Sequence, residues 1–378
     1  MQSKRAIRDR FVRPHTPEGI DQMVERFVKN HQAHRLPEVW TTRCKILDGL
    51  DPPEAEPVGQ TIVASTDGEF VMLPVWPHGG RVDMYTLRPP IRASLVHDEL
   101  PLSTSAFAAH DEALWAIGYR SCRPGAPALV YMSTRNPFPL PETDGMLVRD
   151  MRFVDSDTLV VLMCRADQPT ELTYGFIIQQ DVLRRYSLDL QVDKSAVAYR
   201  GRLVALGCQN GGVRVVDVLG GFQTVRKIGG IGGPVTALAF DAESDALFIA
   251  RGSQMYVWPP EQRLRRLYRL TGTGTGEIRL MVGTPGAAVA IAFQSPASRI
   301  VSGVTLVPAH GPASRLRFDG LIRGTLVVLT GAASNGRALS FTRTNLEVNR
   351  VELLTCEVPK GGKKRPRPRE ESPMLELR

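Results

Sequence analysis

The sequence predicts an all-β chain in which small four-stranded sheets repeat and close into a ring. Three observations carry this expectation. Residues 195–260 read as two successive units with the same parts in the same order. Apolar segments that open such units recur along most of the chain, 36 to 46 residues apart. Short apolar runs alternate with turns rich in Gly, Asn and Pro, the pattern of many brief strands.

The first of the two units is SAVAYRGRLVALGCQNGGVRVVDV and the second is PVTALAFDAESDALFIARGSQMYVW. In each, a short apolar segment ends in an aromatic, Tyr199 or Phe240. A polar turn leads to a longer apolar segment, and a Gly-based turn follows, Asn210-Gly211-Gly212 or Gly252-Ser253. Asn-Gly between apolar runs favours a hairpin because both central positions tolerate positive φ. The last segment alternates: Val213, Val215 and Asp217 point to one face of a strand, Arg214, Val216 and Val218 to the other. One such sheet cannot bury both faces, so copies must pack against one another.

The residues ending each opening segment are Ala64, Ala108, Phe153, Tyr199, Phe240, Val282 and Phe318, which predicts seven units. Second segments follow at residues 70–73, 114–117, 159–162, 289–291 and 326–329. Third segments follow at residues 82–87, 129–132, 174–178 and 338–342. Ring closure is open between two arrangements. Residues 41–50 supply an outer strand to the last unit, or residues 347–358 complete it. Residues 135–141, which present Phe138 and Leu140, read as a stiff insertion. Residues 271–277 read as a flexible linker and residues 295–310 as a long hairpin.

Taken together, the units resemble the WD40 repeat, whose third strand typically closes on Trp-Asp. Here Asp217 ends one unit and Trp258 the next, and the Gly-His dipeptide usual in that family is absent. The resemblance covers residues 58–358 and implies a seven-bladed β-propeller, a rigid platform on which other proteins assemble without covalent chemistry. It divides the chain into residues 1–57 (basic arm, amphipathic helix and linker), 58–358 (propeller) and 359–378 (tail).

The two ends differ from the body. Lys4, Arg5, Arg8, Arg10 and Arg13 form a basic arm. Thr16 and Pro17 then mark a helix entry. Ile20, Met23, Val24, Phe27 and Val28 fall on one helical face, so a short amphipathic helix is expected. The tail carries Lys363, Lys364, Arg365, Arg367 and Arg369 among Gly and Pro, with almost no apolar content, so it is expected to be disordered. KKRPRPR resembles a nuclear localisation signal. Nuclear residence is the expectation; a cytoplasmic or, from the Arg-rich start, a mitochondrial location are the alternatives. No run of about 18 apolar residues appears, so no transmembrane helix is expected.

Composition bounds the rest. The 378 residues carry a net charge of +8, much of it at the ends, and 43% hydrophobic content. The five cysteines, Cys44, Cys122, Cys164, Cys208 and Cys356, include no CxxC pair and read as buried free thiols. His-x-Glu occurs at His97 and His110 without a following CxxC, so no metal is expected. There is no GxSxG elbow and no phosphate-binding GxxxxGK[ST] loop. The Gly clusters at residues 229–233 and 272–276 lack the Lys and helix a phosphate site needs. No catalytic residues and no cofactor are assigned. The expected partners are proteins, reached through Trp76, Phe138, Arg263, Arg265 and Arg266, because exposed aromatics and arginines concentrate binding energy. Nucleic acid at the basic ends is the alternative, with binding that falls steeply with salt.

Overall fold

The structure, a computed structural model, describes residues 34–35, 45–47, 63–66, 69–75, 81–86, 93–97, 104–119, 127–168, 170–180, 182–230, 232–269, 276–293, 301–311, 313–317, 327–334, 338–345 and 350–357. Every regular element among them is a strand. The expected helix over residues 20–28, the linker of residues 271–275, Trp76 and the basic tail lie outside the described residues.

Two short strands come first, β1 (His34–Arg35) and β2 (Lys45–Leu47). The first set is β3 (Val63–Ala64), β4 (Phe70–Val75), β5 (Arg81–Thr86) and β6 (Ala93–His97). The second is β7 (Thr104–Ala109), β8 (Trp115–Tyr119), β9 (Leu129–Met132) and β10 (Arg135–Pro139). The third opens with β11 (Met146–Phe153), β12 (Thr158–Arg165) and β13 (Glu171–Gln179). Its outer strand is the beginning of β14 (Val182–Arg200), a 19-residue strand whose far end is the first strand of the fourth set. That set continues with β15 (Leu203–Cys208), β16 (Val213–Asp217) and β17 (Gln223–Ile228). The fifth is β18 (Ala237–Phe240), β19 (Leu247–Arg251), β20 (Gln254–Trp258) and β21 (Arg265–Arg269). The sixth is β22 (Glu277–Thr284), β23 (Ala287–Phe293), β24 (Val301–Pro308) and β25 (Ser314–Arg317). The last is β26 (Val327–Ser334), β27 (Ala338–Asn345) and β28 (Arg350–Glu357).

Strands within a set pair antiparallel in sequence order. First strands of neighbouring sets touch, β3 with β7, β7 with β11, β14 with β18, β18 with β22 and β22 with β26, and β26 returns to β3. Both candidate arrangements for the last sheet are used: β28 is its third strand, and β2 pairs with β28 as the fourth. The sixth sheet gains a fifth strand, because β1 runs parallel to β25, with His34 opposite Leu316.

Burial follows position in the sheet. Second strands are covered on both faces and read as continuous apolar runs. All seven residues of β23 are buried, as are seven of eight in β12. Third strands alternate, as β9 does, and the outer strand β17 is largely open. The apolar core is divided among the seams between consecutive sets. Met146, Val148, Met151 and Phe153 of the third set meet Ala108, Val130 and Leu140 of the second. Val160 and Leu162 meet Val197, Val204 and Phe222 at the next seam. Ala205 and Val215 meet Leu238 and Trp258 at the one after. Backbones approach closely at the seam of the fifth and sixth sets, where a Cβ on Gly283 would lie 1.7 Å from the Phe240 carbonyl oxygen.

Three sequence expectations are corrected. Phe318 lies outside the described residues, and the last set opens after it. β25 just before it is the outer strand of the sixth set, and the last set opens at β26. Residues 327–329 and 338–342 therefore fall in first and second strands, one place earlier than their pattern suggests. Residues 135–141 are no insertion: β10 is the outer strand of the second set, and Leu140 just beyond it is buried. Residues 301–308 of the expected hairpin are β24, paired with β23.

Candidate interaction surface

The functional residues are distributed over the hub, the seams and the outer rim. At the hub, β11 interrupts its apolar alternation with Arg149, Asp150 and Arg152. A bulge between Val148 and Asp150 brings successive polar residues to the side facing the fourth set. The Asp150 carboxylate accepts the Met151 N–H at 2.8 Å. Arg149 donates to the Val192 carbonyl at 3.0 Å, and Arg152 reaches the Ala64 carbonyl of the first set at 2.9 Å. Burial pushes the Asp150 pKa up to about 6, against the opposing pull of that N–H, the Arg149 and Arg152 guanidiniums and Tyr199. Burial, then the Asp150 charge, raises the neighbouring Tyr199 phenol well above its usual value. Burial also lowers Arg152.

At the seams, polar groups tie one set to the next. Arg200, ending β14, donates to the Asp241 and Ala242 carbonyls at 2.9 and 2.8 Å and pairs with Asp245 at 2.8 Å. Arg226 donates to the Asp245 carbonyl and lies 5.0 Å from the centre of the Trp258 ring. Arg251 reaches back to the Gly211 carbonyl, and Thr236 reaches forward to Ile278. Asp217, at the position of the repeat's Asp, is buried and works within its own set. It accepts the Gly220 N–H at 3.3 Å and pairs with Arg202 at 3.3 Å. Cys164 and Cys208 are buried free thiols. Among the described residues no group of three or more His, Cys, Asp or Glu side chains converges as a metal site.

The expected contact residues separate on the rim. Arg263, Arg265 and Arg266 are all exposed at the outer edge of the fifth set. Leu264 among them and Leu267 just after them pack onto two different seams, which fixes the arginines outward. Arg265 is engaged, donating to the Ala309 carbonyl of the sixth set at 2.5 Å. Arg263 and Arg266 meet no carboxylate among the described residues. Phe138 is half-buried in β10, so it offers part of a ring. Trp76, Lys363, Lys364, Arg365, Arg367 and Arg369 are outside the described residues.

Sequence reasoning missed the hub group and the open apolar side chains of the rim, Val182, Leu219 and Val225. The hub left a signal, Arg-Asp-Met-Arg inside an apolar segment, which sequence alone could flag as a strand whose polar face is not solvent.

No family model matches the chain, and no curated protein does. Its fold does have relatives among solved structures. The β-propeller domain of Cps50 (Swd1) from Myceliophteria thermophila superposes with a TM-score of 0.55 at 11% identity, over 83% of this chain and 99% of that one. A chain of the mitotic checkpoint complex superposes with a TM-score of 0.58 at 12% identity, over 87% and 93%. Sheets paired in sequence order, apolar layers at the seams, first strands in contact around a hub and these two superpositions identify the fold of this chain as a β-propeller.

Proposed function

We propose that this chain is a non-enzymatic protein-interaction scaffold, a subunit of a multiprotein complex working in the nucleus. The observation that carries the reading is where the polar groups inside the ring point. Arg152, Arg200, Arg251 and Thr236 each bond a backbone carbonyl of another set, so they hold the platform rigid. What remains for partners is surface: the exposed Arg263 and Arg266 and the half-exposed Phe138. Rigid surfaces of this kind bind with little ordering cost. The likeness to a chain of the mitotic checkpoint complex supports a role within an assembly. The tail at Lys363, Lys364, Arg365, Arg367 and Arg369 supports nuclear import through its resemblance to a localisation signal.

The test is purification of the tagged full chain from cell extract with and without nuclease. Proteins that co-purify in fixed ratio after nuclease treatment are expected. Recovery that collapses with nuclease assigns the chain to nucleic acid instead. Removing residues 359–378 is expected to abolish nuclear accumulation, and undiminished accumulation overturns the import role.

A further inference from the structure

We infer that the outer rim between the third and fourth sets docks an acidic protein segment that also carries apolar side chains. The inference deepens the scaffold reading by naming a partner chemistry. It rests on that reading.

Among the described residues, the large apolar side chains most open to solvent are Val182 (53% exposed), Val225 (51%) and Leu219 (43%). All three belong to the outer parts of these two neighbouring sets. Single exposed apolar residues mean little; that all three fall on the outer parts of two adjoining sets is what matters. The two sets are locked together between them. Tyr186 of β14 and Phe222, just before β17, pack with ring centroids 5.4 Å apart. Val182 and Arg184 share the face of β14 that carries Tyr186, and lie open beyond the contact. Val225 and Lys227 continue along β17 on the other side of it. The strip thus follows about nine residues of strand, roughly 30 Å.

Its charge is one-sided. β17 holds no acid, and neither does β14 from Val182 to Leu188. Arg184 and Lys227 are exposed and meet no carboxylate among the described residues. Arg214 and Lys227 stand directly opposite each other across β16 and β17. Like charges facing across a strand pair destabilise a sheet. That cost falls when an anion arrives between them. The neighbouring Arg185 is already paired with Glu142 and Arg202 with Asp217, so they leave the strip's charge unaltered.

A nucleic acid would meet the cations but would bury Val182, Leu219 and Val225 poorly. A protein segment in which Asp or Glu alternates with Leu meets both. It does so through side chains. The register of β17 slips between Val215 and Val216, leaving Val225 as a bulge, and a bulged edge resists addition of a further strand.

The experiment uses the full chain and a fluorescein-labelled 14-residue peptide alternating Glu with Leu, read by anisotropy in low salt. Polyglutamate and single-stranded DNA of the same length are the comparison probes. The Glu-Leu peptide is expected to bind about tenfold tighter than either, and R184E/K227E to weaken it about tenfold. V225S is expected to weaken it severalfold at unchanged charge. K227A, a milder change at an exposed position, replaces the double reversal if that variant fails to fold. No binding to the wild-type chain, unchanged affinity in the variants, or equal binding of polyglutamate or DNA overturns the inference. Purifying the R184E/K227E chain from extract separates the two claims. Partners that persist there leave the scaffold standing when the strip fails, whereas a wild-type chain that recovers no partner removes the scaffold itself.

Discussion

Two side chains show how single residues set the behaviour of the ring. Phe222 is held at φ 58°, a left-handed conformation uncommon for a bulky residue. Its ring lies against Gly175, where a Cβ would come within 2.5 Å, and against Tyr186. The glycine is required by this close approach, and the packing compensates the backbone. Phe222→Ala removes a ring from a seam, so a loss of about 3–5 kcal/mol is expected in denaturant unfolding. A loss below about 1 kcal/mol contradicts this account of the seam. Asp150 makes a pH-dependent contribution. Its carboxyl holds a proton up to about pH 6 when folded, and to about 3.9 when unfolded. Its stabilisation is therefore complete below pH 4 and is lost as pH rises through 6, amounting to about 3 kcal/mol. Asp150→Asn is expected to remove that fall from a series of unfolding curves between pH 4 and 7. A slope unchanged in the variant places the titration elsewhere. Sequence carries only half of the Asp150 site: Arg149 and Arg152 flank it in the chain, but Tyr199, which completes its setting, lies 49 positions away. Arg263 and Arg266 were legible because their exposure follows from local alternation with Leu264 and Leu267.

Strands explain which parts of the fold the sequence announces. The third, fourth and fifth sets were legible since their second strands are apolar runs and their first strands carry an aromatic at or next to the end, Phe153, Tyr199 and Phe240. Outer strands lack that signature. β25 is short and carries two arginines, and it merged in the sequence with Phe318 into an apparent opening segment. β10 contains two prolines, Pro137 and Pro139, which weaken a strand reading in the sequence and which an outer strand accommodates. β1 was equally quiet, because a strand of two residues has no periodicity to read, whereas β2 falls within residues 41–50, which the sequence offered as an outer strand of the last unit. The edges themselves follow a rule. The pairings of β6, β10, β14, β17 and β21 with their neighbours each contain a register shift, whereas β25 pairs regularly with β24. β25 is the outer strand that accepts β1. Deleting residues 1–50 removes β1 and β2, and so bares β25 and β28. The truncated chain is expected to melt at least several degrees lower and to self-associate in sedimentation. A monomer of unchanged melting temperature would show that these strands seal nothing.

The whole molecule is a circle whose sheets are joined by seams, with one exception. β14 crosses from the outer edge of the third set to the inner edge of the fourth as a single strand, with its pairing irregular between Val192 and Val197, so seven strands, β11 to β17, form one sheet. Elsewhere among the described residues the chain leaves one set before it enters the next, as residues 140–145 do between β10 and β11. Hydrogen exchange is expected to show amides of β12 and β15 opening together, with one free energy, while those of β19 open separately. Distinct opening energies for β12 and β15 refute the coupling. A hinge needs a place where the chain can swivel, and these two leaves are joined by a strand rather than by a linker. When the circle breathes or is pried apart, the break must fall at some other joint. The two leaves, bearing between them the strip of Val182, Arg184, Val225 and Lys227, would travel as a single plate and keep their cargo in hand.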